Sequence, residues 1–256
     1  MHPLRPPPRV PDDPWSTLRA HTPARIALGR TGSGLPTREV LAFSAAHALA
    51  REAVNSELDV GTLTLTLQQS GLSALALASR SPDRRTYLLR PDLGRRLDEA
   101  SQALLARTTC GVDIAVVICD GLSAHAVQVQ ARLLLSEFQP YVRAHAWSMS
   151  GPFVVKNGRV AVGDEIGEIV RARIVAVLIG ERPGLRAPDS LGVYLTHSPR
   201  VGRVDAERAC LSNIRPDGTS AFEAARKLAD LIAQAFECGA TGVAAWPSNR
   251  GLRAPE

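Results

Sequence analysis

Two apolar runs, Ile114 to Cys119 and Ile174 to Ile179, proceed without a polar residue. A strand with one wet face alternates apolar and polar positions, so these runs predict central parallel strands covered on both faces. Further apolar runs at LSALALAS (72–79), TYLLR (86–90) and PFVVK (152–156) predict additional strands. Between them, DLGRRLDEASQALLART and HAVQVQARLLLSEFQPYVRAH read as helices. Strand and helix in alternation define an α/β fold, here a Rossmann-like open, mainly parallel sheet with flanking helices. A last helix, SAFEAARKLADLIAQAFECG, is predicted to stop at Gly239, the residue type that accepts a left-handed conformation after a helix end.

A small helical region precedes the sheet. DPWSTLRAHT opens one helix and PTREVLAFSAAHALAREAV a second, whose Val40, Leu41, Ala45, Ala48 and Leu49 fall on one face. The glycines of the intervening ALGRTGSGLP do not make a phosphate loop, because no Gly-Lys-Ser/Thr ending follows them and no strong strand precedes them. The expected organisation is a disordered proline-rich lead (1–13), a helical N-terminal domain (14–70), a Rossmann-like domain (71–245) and a flexible tail (246–256).

At 256 residues the chain is long enough for a sizeable core, and no stretch approaches the ~20 apolar residues of a membrane helix. The N-terminal MHPLRPPPRVPDDPW lacks a secretory signal's apolar core, and the four cysteines show neither CxxC spacing nor paired histidines. A soluble cytoplasmic protein is expected, without a zinc site or disulfides. The net charge of +5 comes from scattered arginines rather than one basic block, and no nucleic-acid motif accompanies them.

Ligands of open parallel sheets gather at the carboxyl ends of the strands, which directs attention to CDGLSAH and GERPGL. In the first, Ser123 is either a helix cap or a nucleophile, although Gly-x-Ser-x-Gly is absent because His125 stands where glycine is required. In the second, Glu181 is either a catalytic carboxylate at a strand end or a polar contact for something large that docks there. GDEIGE groups Asp164, Glu165 and Glu168, which suits a helix start, a ligand contact or a metal. Cys210 has no paired histidine nearby in sequence, so packing is favoured over covalent catalysis.

The order DPWSTLRAHTPARIALGR, PTREVLAF, TYLLRPDLGRRL, DGLSAHAV, GRVAVGDEIGE, VLIGERPGL, PDSLGVYLTHSPRVGR, RACLSNIRPDG and SAFEAARKLADL closely resembles the small (light, beta) subunit of ethanolamine ammonia-lyase, from about Asp13 to Gly242. The resemblance implies pairing with a large barrel-shaped subunit in a hetero-oligomer of several large/small pairs, with adenosylcobalamin (coenzyme B12) at the interface. The complex would convert ethanolamine to acetaldehyde and ammonia by radical chemistry, and this chain would be inactive alone. Carried over from the family, the cofactor contacts are Val160, Glu181 and Cys210. The Asp-x-His-x-x-Gly signature of base-off cobalamin proteins is absent, so base-on binding is implied, with no axial imidazole from this chain. Some relatives reside in a bacterial microcompartment, and the lead here is shorter than theirs. A scaffold module that has lost its cofactor, and a Ser123 hydrolase, stand as the alternatives.

Overall fold

Strands β2 (Ile114–Cys119) and β4 (Ile174–Gly180) lie side by side and parallel, from Ile114 opposite Ile174 to Cys119 opposite Ile179, and every residue of both is buried. This computed structural model describes residues 15–22, 24–108 and 110–245; the proline-rich lead and the tail after residue 245 lie outside the described residues. Around the central pair the sheet is completed by β1 (Leu75–Ala78), β3 (Met149–Lys156), β5 (Leu191–His197) and β6 (Arg208–Ile214). The strand order is β1-β3-β2-β4-β5-β6. The first four strands are mutually parallel, whereas β5 and β6 are added antiparallel.

The expected α/β architecture with a helical N-terminal part is therefore present, as a mostly parallel mixed sheet whose order differs from that of a dinucleotide-binding sheet. One face carries α2 (Val60–Gln69), α5 (Ala124–Ala144) and α7 (Ala221–Cys238), which close a core through Leu63, Leu67, Leu134, Phe138, Leu228 and Ile232. The opposite face is covered by α4 (Glu99–Leu105) and α6 (Val162–Ile169), with Leu97, Leu105 and Ile166 packed on Val117 and Val177. Gly239 adopts φ +67° after α7, as its position predicts.

Four local departures from the sequence pattern have physical causes. TYLLR is not a strand but part of α3 (Arg84–Leu89), because Asp83 caps the helix by accepting from the Thr86 N–H at 2.8 Å. The stretch DLGRRLDEASQALLART is not one helix. A 3₁₀ turn at Leu93–Arg95 is separated from α4 by Leu97, whose N–H donates to Glu165 at 2.7 Å, and Asp98 caps the new helix. The antiparallel strands β5 and β6 are additions that the search for buried parallel runs passes over.

The fourth departure concerns α1 (Thr37–Asn55). Its Val40, Leu41 and Leu49 are 46%, 64% and 58% exposed, while Ala50 and Ala53 are the buried positions. The apolar face read from the sequence thus points to solvent.

Candidate functional site

At the carboxyl end of β4 the chain opens a cleft of about 700 Å³, bordered by Leu122, Val160, Ile179, Glu181, Tyr194 and a set of arginines. Its floor depends on close backbone approach. Gly121 has φ +56° and lies against the Gly180 carbonyl, and a methyl group on Gly180 would overlap the Ser123 carbonyl. The Leu122 N–H donates to the Gly180 carbonyl at 2.9 Å, which joins the β2 and β4 loops into one wall.

Glu181 is the first residue beyond β4, and its backbone N–H donates to the Ser190 carbonyl at 3.0 Å. Its Oε2 accepts from the Ser190 hydroxyl at 2.6 Å and from the Asn213 N–H at 3.2 Å. The glutamate is thereby tied to the residue just before β5 and to β6. Its Oε1 makes no hydrogen bond within the described residues, and Gly192 leaves it room, since a methyl group there would stand 3.0 Å away. One carboxylate oxygen is held and the other is left to accept.

Cys210 sits opposite Tyr194 across the β5–β6 pair, on the same sheet face. Burial pushes the Cys210 thiol up, and the nearby Glu181 carboxylate adds to this against a hydrogen bond with Tyr194 that lowers it. The phenol of Tyr194 is pushed up to about 12, mainly by burial and then by Cys210. A thiol so raised stays protonated at neutral pH, which suits contact rather than nucleophilic attack. Val160, Glu181 and Tyr194 border the one cleft, whereas Cys210, opposite Tyr194 on the next strand, lines a separate cavity with Ala209, Leu231 and Thr241.

The other sequence candidates resolve into structural roles. Ser123 is fully buried, accepts from the Ala126 N–H at 3.1 Å as the α5 cap, and donates to the Pro188 carbonyl at 2.6 Å. With its hydroxyl fully engaged it is no nucleophile, and the hydrolase alternative falls. His125, beside it in the first turn of α5, is exposed. The three carboxylates of GDEIGE diverge. Asp164 pairs with Arg208, Glu165 accepts from Arg96, Gln102 and Leu97, and Glu168 accepts from the Val201 N–H. Among the described residues no group of three His, Cys, Asp or Glu side chains could hold a metal ion.

Beneath the cleft lies a buried network that the sequence reading did not single out. Asp120 accepts from the Gly158 N–H at 3.1 Å and faces Arg84 at 3.4 Å, while Arg84 also donates to the Gly121 carbonyl at 2.8 Å. Burial pushes the Asp120 carboxyl up to about 6, against the lowering effects of Arg84 and the Asn157 and Gly158 backbone. Tyr87 lies between two guanidinium groups, 4.8 Å from that of Arg84 and 4.4 Å from that of Arg159. This network fixes the strand-end loops from below.

The fold and cleft define a class: an α/β chain with a glutamate-bearing cleft at the carboxyl edge of its sheet, where ligands of such sheets gather. Comparison with known proteins makes the assignment particular. The family model described as Ethanolamine ammonia-lyase light chain (EutC) matches residues 12–245. The ethanolamine ammonia-lyase small subunit of Ralstonia nicotianae is 52% identical over 241 residues, covering 93% of this chain and 89% of that one. Those of Xanthomonas campestris pv. campestris and Pseudomonas paraeruginosa are 51% and 50% identical, each over 91% of this chain and over 87% and 86% of their own lengths. The chain belongs to the ethanolamine ammonia-lyase small (light) subunit family.

Proposed function

We propose that this chain is the small subunit of an adenosylcobalamin-dependent ethanolamine ammonia-lyase and holds part of the cofactor against a large catalytic subunit. The observation that carries this reading is the cleft itself, where Val160 and Glu181, expected as contacts from the family, border one cavity beside the Tyr194–Cys210 pair.

The residues suit a corrinoid. The free Oε1 of Glu181 is an acceptor for a peripheral amide N–H of the corrin, while its other oxygen is pinned by Ser190 and Asn213 so that the acceptor is pre-oriented. Val160 and Ile179 offer apolar surface to the ring edge, and Cys210, which lines the neighbouring cavity beyond Tyr194, would meet a part of the cofactor that extends past the cleft. On this reading the cofactor binds base-on, with no axial imidazole from this chain. When bound, the cofactor supplies the radical that takes hydrogen from ethanolamine on the way to acetaldehyde and ammonia.

Size supports the partner. Cavities of roughly 300–1,000 Å³ enclose drug-sized ligands, and a corrinoid exceeds these, so a cleft of about 700 Å³ takes one edge and leaves the rest for a second protein to cover. The exposed Val40, Leu41 and Leu49 of α1 offer apolar surface of the kind that subunit interfaces use.

The test is reconstitution with a large subunit, followed by cobalamin titration and an acetaldehyde assay. Glu181→Gln is expected to raise the dissociation constant roughly tenfold to a hundredfold, the loss of one hydrogen bond to a charged acceptor. An unchanged constant, or full activity from the large subunit alone, would overturn the reading.

A further inference from the structure

Three arginines of the cleft, Arg95, Arg159 and Arg182, have no carboxylate partner among the described residues, and the first two lie on neighbouring backbone. Arg159 donates its backbone N–H to the Gly94 carbonyl at 2.8 Å, which sets it beside Arg95, and both side chains border the cavity. Arg203 and Arg208, also at the cleft, are neutralised by Glu207 and Asp164. Arg95 and Arg159 contact no carboxylate among the described residues. Arg159 is nevertheless fixed: its Nη2 donates to the Tyr87 carbonyl at 2.9 Å and its guanidinium stacks on the Tyr87 ring, while its buried Nε has no acceptor. Arg95 is exposed, its backbone N–H donates to the Asp92 carbonyl at 3.3 Å, and its guanidinium makes no hydrogen bond to a described residue, so the side chain is free to follow Arg159 onto a ligand.

Two arginines on neighbouring backbone that border one cleft, one of them held over the Tyr87 ring, suit a tetrahedral oxyanion, because guanidinium N–H groups donate charge-assisted hydrogen bonds to such a group. They sit away from Ser190 and β6, to which Glu181 is tied, so the cleft offers an acceptor at one part and a cationic donor pair at another. A ligand matching both carries amides together with an anion. We infer that Arg95 and Arg159 recognise a phosphodiester, and, given the cofactor reading above on which this rests, that it is the phosphodiester of the cobalamin nucleotide loop.

The two-subunit enzyme is titrated by absorbance with cyanocobalamin and with dicyanocobinamide, which lacks the phosphodiester and the nucleotide. For Arg95→Gln/Arg159→Gln the dissociation constant of cyanocobalamin should rise roughly tenfold to a hundredfold, and its dependence on ionic strength should largely vanish. Cobinamide binding should move less than about twofold, within the scatter of such measurements. Because Arg159 also supports Tyr87, the single Arg95→Gln variant at an exposed position should reproduce the pattern in smaller degree. An equal rise for both ligands, or no rise for cyanocobalamin, would overturn the assignment. Addition of inorganic phosphate should compete with cyanocobalamin only in the wild-type enzyme; equal competition in the variant counts against the arginines. Glu181→Gln run alongside separates the two ideas: if it weakens both ligands while the arginine variants weaken neither, only the phosphodiester assignment falls.

Discussion

Arg208 grips Asp164 with two parallel hydrogen bonds, Nη1 to Oδ1 at 2.8 Å and Nη2 to Oδ2 at 2.7 Å, with both side chains out of solvent. The pair ties the first turn of α6 to β6, and Arg208 also donates to Thr196 and to the Arg203 carbonyl. Removing one partner strands a buried charge. Asp164→Ala is expected to cost about 3–5 kcal/mol, read as a lowered urea midpoint. Asp164→Leu combined with Arg208→Met, which removes both charges, should restore part of the loss; an equal or greater loss would show that the pair stabilises by more than mutual neutralisation.

The pH dependence of stability should carry a signature of Asp120. Its folded-state carboxyl titrates near 6, above the ordinary 3.8, so between these values the native chain binds more protons than the unfolded one. Stability contributed by this group is therefore present at low pH and lost as the pH rises through about 6. Urea midpoints of wild type and Asp120→Asn, compared from pH 4 to pH 7, should shift progressively in favour of the variant. A constant difference across that window would contradict the assignment.

Ser123→Ala removes a helix cap and a hydrogen bond to Pro188 at once. A cap is worth about 0.5–2 kcal/mol, and leaving the Pro188 carbonyl unpaired adds to it. The expected result is a lower melting temperature with lyase activity retained at saturating cofactor. No ester hydrolysis should be found in either form.

Gly180→Ala probes the floor of the cleft. The added methyl group would overlap the Ser123 carbonyl and stand 2.6 Å from the Asp120 carbonyl, and neither is a flexible side-chain end. Forced overpacking costs about 1–3 kcal/mol or more, and here the β2 and β4 loops must part. Cobalamin affinity of the reconstituted enzyme should fall along with the unfolding midpoint, whereas Gly32→Ala, at a positive φ with open space around it, should affect stability alone.

Much of this architecture was legible in the apolar pattern. Ile114–Cys119 and Ile174–Ile179 read as central strands because burial on both faces removes every polar residue, and α5 and α7 read as helices with Gly239 as a stop. The antiparallel β6 escaped because Arg208 to Ile214 mixes buried, half-buried and exposed residues at a sheet edge, where apolar content is diluted, while β5 is largely buried but interrupted in sequence by Gly192, Tyr194 and Thr196. TYLLR misled since Tyr and Leu suit a strand as well as a buried helix turn, and the deciding signal was Asp83 three residues before Thr86. In the cleft, the position of Glu181 followed from the strand that precedes it. The Tyr194–Cys210 pairing and the Gly94–Arg159 contact depend on register and on loops distant in sequence, which no local pattern encodes.

The tether from Glu181 to the Asn213 N–H, together with the grip of Arg208 on Asp164, has a consequence for synthesis of the chain. Both anchors belong to β6, the last of the described strands to leave the ribosome. Until that strand pairs with β5, the fixed oxygen of Glu181 has only the Ser190 hydroxyl to hold it and α6 lacks its clamp. The cleft is thus completed only near the end of translation, and a stalled or truncated chain ending before residue 208 carries the central strands without a finished pocket. Whatever fills the cleft selects completed chains.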